Sequence, residues 1–210
     1  NQIYGERWSA ATGQALPEDG ERIPGQILVL PPGVAIPDRP LWEALGWAYR
    51  QVRAVRPAIA LYEPLLAEAQ AAQTSKYEQY LAILAPLYRA SFDDFNAAGA
   101  YQELLKLAQE RVRQGVVPVP PVLDPEGQPA ALDLPPERVA EIFYTQALIT
   151  SLDRTGQFRK ALVKREDLAA LYRRLPLPRR LPALEFEIAQ NLERVGDLSQ
   201  AIGRYASAVN

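Results

Sequence analysis

The sequence predicts an all-α fold in which about four antiparallel helix pairs stack one after another as a solenoid, and three observations lead to this prediction. Apolar and small residues recur at helical spacing over residues 41 to 65. The same pattern returns between Leu84 and Leu104 and again near the end of the chain. Proline-rich stretches at residues 1 to 40 and 114 to 136 separate the helical segments. The prediction is therefore an interrupted array of helix pairs.

The pattern is clearest between residues 41 and 65. One stripe of a first helix contains four residues at positions i, i+3, i+4 and i+7: Trp42, Leu45, Gly46 and Tyr49. After a break, Ala58 and Tyr62 have the same helical spacing. Because Gly46 and Ala58 have almost no side chain, two antiparallel helices can approach closely there while the aromatic rings fill the surrounding space. This stretch predicts one close-packed helix pair.

Three further copies of this pattern follow along the chain. Shifting it so that Leu45 falls on Leu84 gives identical or size-conserving residues at Leu84, Ala85, Tyr88, Ala97, Tyr101 and Leu104. The copy nearest the C-terminus contains Ile188, Ala189, Leu192, Gly196, Ala201, Tyr205 and Ala208. A weaker copy precedes it, at Leu148, Leu152, Gly156 and Ala161, with Arg165 where an aromatic residue is expected. The alternative is an irregular helical bundle, in which one register would have to persist through four copies by coincidence.

This pattern resembles the tetratricopeptide repeat, whose signature is W-x2-L-G-x2-Y followed by A-x3-F, with Tyr62 here in place of the phenylalanine. The resemblance implies a right-handed α-solenoid and one structural domain overall, with two repeats in residues 41–113 and two in 137–210. It also implies that the first helix of each pair lines a concave groove that binds a protein or peptide. The function predicted from it is a non-catalytic interaction scaffold or adaptor.

The register of the resemblance places the partner-binding residues on the first helices: Trp47, Arg50, Arg89, Gln146, Arg154, Gln190 and Arg194. A well-known subgroup of the family clamps a C-terminal carboxylate with a lysine and an asparagine on the first helix. Glu43 and Trp47 stand at those positions here, so that form of recognition is not expected. The arginines favour an acidic or extended partner segment instead.

Composition excludes several classes of function. The 210 residues carry a net charge of −2, which argues against a dedicated nucleic-acid binder. The absence of cysteine and histidine removes disulfides, thiol and imidazole chemistry and the usual zinc ligands, so no metal or cofactor is expected. An enzyme is not expected. The rival is a carboxylate-dependent hydrolase acting on a carbohydrate, with Trp42 or Trp47 as a sugar platform.

Location in the cell is left open by the sequence. No stretch reaches the length of a membrane span, and no leader precedes the fold. The chain contains no methionine, which indicates a processed or trimmed form and leaves open that a signal peptide or an anchor was removed. An extracytoplasmic protein, with peripheral membrane or complex association, and a cytoplasmic protein are therefore both open.

Two proline-rich segments frame the helical array. Residues 1–40 are predicted to be an extended arm with one strand-like run at 26–30, which either covers the first repeat or is offered to a partner. Residues 114–136 are predicted to be a hairpin-like insertion with a turn at Asp124 to Gly127, or a flexible linker.

Four arginines lie close together in the connection between the last two pairs, at Arg173, Arg174, Arg179 and Arg180. Such a cluster is more often a solvated loop that complements a helix C-terminus, and a phosphate or acidic-lipid site is the alternative. The last helix ends at Asn210 without a polar capping helix. This pattern predicts either more protein beyond it or a homodimer through the C-terminal repeat.

Overall fold

The computed structural model describes residues 39–115, 134, 136–175 and 178–209. In these residues the chain forms α-helices, one short 3-10 helix and connections, without a strand. The helices are α1 Arg39–Gln51, α2 Val55–Ala71, α3 Lys76–Ala90, α4 Asp94–Gln114, α5 Pro136–Arg154, α6 Phe158–Arg174, the 3-10 helix Pro178–Arg180, α7 Leu181–Val195 and α8 Leu198–Val209. The predicted all-α class is confirmed. The predicted strand at 26–30 lies outside the described residues, as does most of the predicted insertion at 114–136, including its turn at Asp124 to Gly127.

The structure divides into two compact units, which meet in the sequence between Leu87 and Tyr88. This point lies inside α3. The single domain expected from the sequence and its internal boundaries stay predictions. None of the described helices is long and apolar enough to cross a membrane.

In the first unit, α1 and α2 pack as an antiparallel pair at Gly46. A Cβ atom added to Gly46 would lie 2.7 Å from Cε2 of Tyr62, so the tyrosine ring rests directly on the α1 backbone. Ala58 is fully buried and Trp42 is also in the core. The Tyr62 ring then contacts Tyr80 on α3, with 6.1 Å between ring centroids. The predicted close approach of the first helix pair is confirmed.

The same backbone turn ends each of the four first helices. A carbonyl oxygen in the last turn accepts a hydrogen bond from the N–H five residues later, as in a Schellman motif. The pairs are Tyr49 with Ala54 (2.9 Å), Tyr88 with Asp93 (2.9 Å), Leu152 with Gln157 (2.8 Å) and Leu192 with Asp197 (2.9 Å). The shift from Tyr49 to Tyr88 is the same as the predicted shift from Leu45 to Leu84. The backbone thus repeats with the register read from the side chains.

The turn requires one residue in the left-handed region. This residue is Gly156 or Gly196 in the last two pairs, but Arg53 (φ 56°) or Phe92 (φ 64°) in the first two. Five residues after it comes the buried alanine of each second helix: Ala58, Ala97, Ala161 and Ala201, all at most 1% exposed. The small residue therefore marks the place where each second helix begins to contact the core.

The second unit contains α4 to α8, and successive helices in it run antiparallel. Tyr101 on α4 contacts Tyr144 on α5, with ring centroids 6.5 Å apart. Around α5, α6 and α7 the core is built from branched apolar residues and one tyrosine, including Ile142, Ile149, Leu168, Leu171, Tyr172, Leu184, Ile188 and Leu192. This core supports the surface on which the later candidate site residues lie.

Candidate functional site

Trp47 lies on the exposed face of α1, with 59% of its surface accessible. Glu43, one turn earlier, accepts hydrogen bonds from Lys76 Nζ (2.7 Å) and from the Tyr80 hydroxyl on α3. Burial alone would raise the pKa of Glu43, but these two bonds and the nearby positive charge of Lys76 outweigh it, and the pKa is lowered. The carboxylate beside Trp47 is therefore ionised and already bound within the chain.

Arg50 and Arg89 both lie in the last turn of a first helix and contact a tyrosine of the following second helix. Arg50 hydrogen-bonds the hydroxyl of Tyr62, and Arg89 that of Tyr101. Burial raises the pKa of both tyrosines, although the neighbouring guanidinium opposes the shift. The two arginines, which the sequence places in the groove, thus also join the two helices of their own pair.

In the third pair the corresponding contact has a different chemistry. Asp153 takes the position of the arginine, and Arg165 takes the position of the tyrosine. Arg165 is 7% exposed and donates two hydrogen bonds to Asp153, at 3.2 and 2.5 Å. Its Nη1 also donates to the amide oxygen of Asn191 at 2.7 Å, while Glu187 lies 3.5 Å from its Nε. This buried network explains why an arginine can occupy the aromatic position.

The fourth pair shows a third version of the contact, in which Glu193 accepts a hydrogen bond from Tyr205. In every pair the two partners are separated by 12 residues: 50 and 62, 89 and 101, 153 and 165, 193 and 205. The last turn of each first helix is therefore coupled to the middle of its second helix by a polar contact whose chemistry differs between the pairs.

The other predicted partner-binding residues lie at different places in the second unit. Arg154 forms an ion pair with Asp94, with 3.6 Å between Nη1 and Oδ1. Gln190 is exposed on α7. Arg194 lies over the ring of Phe158, 5.5 Å from its centroid, and lines a cavity of about 480 Å³ beside the turn at Gly156. Gln146 instead borders a second cavity.

This second cavity has a volume of about 410 Å³ and lies between α5 and α7, with α6 at its base. We call it the arginine cavity. Its walls are Gln146, Ile149 and Thr150 from α5, Arg165, Leu168 and Tyr172 from α6, and Arg179, Arg180, Ala183, Leu184 and Glu187 from the 3-10 helix and α7. Its size is within the range of ligand pockets, roughly 300 to 1,000 Å³.

Donors within the arginine cavity meet at the Tyr172 hydroxyl. Gln146 Nε2 donates to it at 3.0 Å, and Arg180 hydrogen-bonds it as well. Burial raises the pKa of Tyr172, which keeps its hydroxyl protonated and able to donate in turn. The cavity therefore combines hydrogen-bond donors, positive charge and an apolar floor.

The four clustered arginines are divided by the fold. Arg173 binds Glu185 on α7, with 2.5 Å between Nη2 and Oε1, and Arg174 donates to a carbonyl of its own helix. Both lie at the C-terminal end of α6, where a positive charge complements the helix dipole. Arg179 and Arg180 line the cavity. The sequence singled out the cluster, but it contained no signal that would separate its two halves or add Tyr172 and Glu187.

Carboxylates in the described residues are mostly engaged in structural contacts. Asp93 caps α4 by accepting from the Asn96 N–H at 3.2 Å. Among the residues that the structure describes, no group of three or more acidic side chains is placed to hold a metal ion.

No protein-family model and no curated protein matches the chain. Among solved structures, it is similar to the crystal structure of a Podosopora anserina kinesin light chain with nearly identical TPR-like repeats. The two chains are 15% identical, the match covers 80% of this chain and 92% of that chain, and the TM-score is 0.34.

Proposed function

We propose that this protein is a non-catalytic scaffold that binds an extended segment of another protein on the exposed surface of its first helices. The observation that carries the proposal is the exposure of Trp47, a large aromatic side chain at 59% accessibility on α1. Aromatic and arginine side chains dominate binding energies at interfaces, because they bury a large area or form forked hydrogen bonds. Arg50 lies one turn further along the same helix.

The carbohydrate hydrolase alternative is less favoured by the chemistry around Trp47. Such an enzyme needs one carboxylic acid that stays protonated opposite a second carboxylate. The carboxyl group of Glu43, one turn from Trp47, has a lowered pKa and is bound to Lys76 and Tyr80. It is thus a poor general acid. Binding rather than hydrolysis is the function that this surface supports better.

The partner class follows from charge. With a net charge of −2 the chain lacks the basic surplus of a nucleic-acid binder, so the proposed partner is a protein or peptide. Self-association through α8 stays a separate prediction. This helix exposes Leu198, Ile202 and Val209, so the oligomeric state of the purified chain should be measured before any binding assay.

A photoactivatable residue at position 47 tests the proposal, since the partner cross-linked there can be identified and then purified. Trp47→Ala should weaken binding of this partner by about 2 kcal/mol or more, while leaving the melting temperature nearly unchanged because the side chain is exposed. Phe95→Ala is the matched control, because Phe95 is also exposed but lies outside the predicted surface.

Two results would contradict the proposal. Equal losses of affinity in Trp47→Ala and Phe95→Ala would show that binding does not depend on this surface. A large loss of stability in Trp47→Ala, with binding intact among the molecules that remain folded, would place Trp47 in the core.

A further inference from the structure

The third helix pair departs from the repeat at the place where the arginine cavity forms. In register, the first, second and fourth pairs have a small residue on the first helix and a tyrosine on the second: Gly46 with Tyr62, Ala85 with Tyr101, and Ala189 with Tyr205. The third pair has Ile149 and Arg165, and both line the cavity. The ring that would pack between helices is absent here, and charged and hydrogen-bonding groups border the space instead.

From this geometry we infer that the arginine cavity binds the carboxylate side chain of an acidic residue in an extended partner peptide. The inference rests on the scaffold function proposed above and names the chemistry of one of its subsites. Arg179 and Arg180 are the anchors. Arg180 and the Tyr172 hydroxyl form one wall of donors, and Ile149, Leu168 and Leu184 supply an apolar floor for the aliphatic stem of a glutamate.

Arg179 makes no hydrogen bond or ion pair with another described residue, so its charge is available, and it lines the cavity together with Arg180. Both precede α7, whose first turn contains no acidic residue. A positive charge at a helix N-terminus is unfavourable to the dipole. A helix dipole therefore does not account for this pair, whereas it does account for Arg173 and Arg174 at the end of α6.

The number of charges favours a carboxylate over a phosphate. Three arginines and Glu187 line the cavity, and Asp153 pairs with Arg165 from behind. The net charge of the site is one positive unit, which a carboxylate balances. A phosphate group carries about −1.5 to −2 at neutral pH, and would add repulsion from Glu187. The site is thus matched to a single negative charge.

Binding of peptide pools to the full-length chain tests this inference. The pools are short, amidated peptides with one fixed central residue between aliphatic neighbours, and they differ only in that residue: Glu, Gln or phosphoserine. A fourth pool has central Gln and a free C-terminal carboxylate. We expect the Glu pool to bind about tenfold more tightly than the Gln pool, the factor for one charge-assisted hydrogen bond.

Variants of the chain locate the binding. Arg179→Gln with Arg180→Gln should remove the preference for Glu. The matched control, Arg159→Gln with Arg174→Gln, changes the net charge equally at two exposed arginines outside the cavity and should retain it. Ala183→Phe is a second test, because it fills the cavity from an exposed position on α7 without changing any charge, and it should weaken the Glu pool as well.

Several outcomes would overturn the carboxylate site. These are equal affinities of the Glu and Gln pools, a preference for phosphoserine or for the free C-terminus, or an unchanged preference for Glu in both cavity variants. The scaffold function is judged separately by the Trp47 experiment. A partner that depends on Trp47 but not on Arg179 and Arg180 would disprove the cavity inference alone.

Discussion

The first and third helix pairs solve the same packing problem with opposite chemistry. In the first pair, Tyr62 lies against the bare backbone of Gly46 and its hydroxyl meets Arg50. In the third pair, the first helix has the large apolar residue Ile149 at the position of Gly46. The second helix has Arg165 at the position of Tyr62, and Arg165 binds Asp153. The backbone turn is the same in both pairs. The same backbone turn therefore supports either contact, which we call an aromatic joint in the first pair (Tyr62 with Gly46 and Arg50) and an ionic joint in the third pair (Arg165 with Asp153).

The largest expected effect comes from breaking the ion pair between Asp153 and Arg165 in the third pair. Asp153→Ala leaves the Arg165 guanidinium buried with only Glu187 and Asn191 near it, and removing one member of a buried ion pair costs about 3 to 5 kcal/mol. The measurement is the free energy of unfolding in urea.

Asp167→Ala provides the control for this change. Asp167 pairs with Lys164 on the exposed surface of α6, with 57% of its side chain accessible, so its loss should have little effect on stability. Similar losses in the two variants would show that the Asp153 contact is no stronger than a surface ion pair.

The contact between Gly46 and the Tyr62 ring in the first pair should break when the glycine is replaced by a larger residue. Gly46→Leu forces a side chain into the Tyr62 ring and should destabilise the chain by about 1 to 3 kcal/mol or more. Gly99→Leu is the matched control, since Gly99 lies on an exposed face of α4 with no atom within 4 Å of an added Cβ. That variant should gain helix propensity instead. A melting temperature of Gly46→Leu equal to that of the parent would contradict the close contact.

A smaller effect is expected at the start of the second helices. The N-cap residues of the first and third pairs, Ala54 and Gln157, make no side-chain capping bond. In the fourth pair Asp197 accepts from the Gln200 N–H at 3.1 Å. Asp197→Ala should cost about 1 kcal/mol, and Ala54→Asp should stabilise by up to a similar amount. Thermal unfolding of both variants measures the two shifts, which must have opposite signs.

The smallest expected effect is a loss of folding stability at acidic pH, through Glu43 in the first unit. Because the pKa of Glu43 is lowered from 4.5 in the folded chain, its ionised form contributes stability above the unfolded pKa. This contribution is lost as pH falls through the folded pKa, so stability should decline below about pH 5. Glu43→Gln should flatten this decline. Parallel pH curves of unfolding free energy for parent and variant would exclude the coupling.

Much of the fold was predictable because packing restricts residue size. In the first, second and fourth pairs the contact between the two helices has glycine or alanine at a few positions, so Gly46, Ala58 and their counterparts revealed both the pairs and the register. Gly156 and Gly196 likewise indicate their turns. Arg53 and Phe92 adopt the same left-handed conformation, but neither is a glycine, so the sequence gives no local signal for it. Their turns could be placed only by counting along the repeat.

Less of the candidate site was predictable, because it depends on which side chains meet across helices. Arg165 was recognised as a departure from the pattern, but its partner Asp153 could be found only by comparing the same two positions in all four pairs. Exposure of Trp47 was expected from its helix face. The separation of Arg173 from Arg179 depends on where α6 ends and α7 begins, which proline-rich sequence leaves open.

The fixed spacing between the two members of each joint also determines how such a chain can be recombined. A segment that carries Arg165 into the first or second pair without Asp153 would place a buried cation beside Arg50 or Arg89, without a counter-ion. The second helix of the third pair therefore cannot be exchanged without its first helix. The smallest exchangeable module is the whole helix pair with its turn, so chimaeras joined between pairs should fold more often than chimaeras joined inside one.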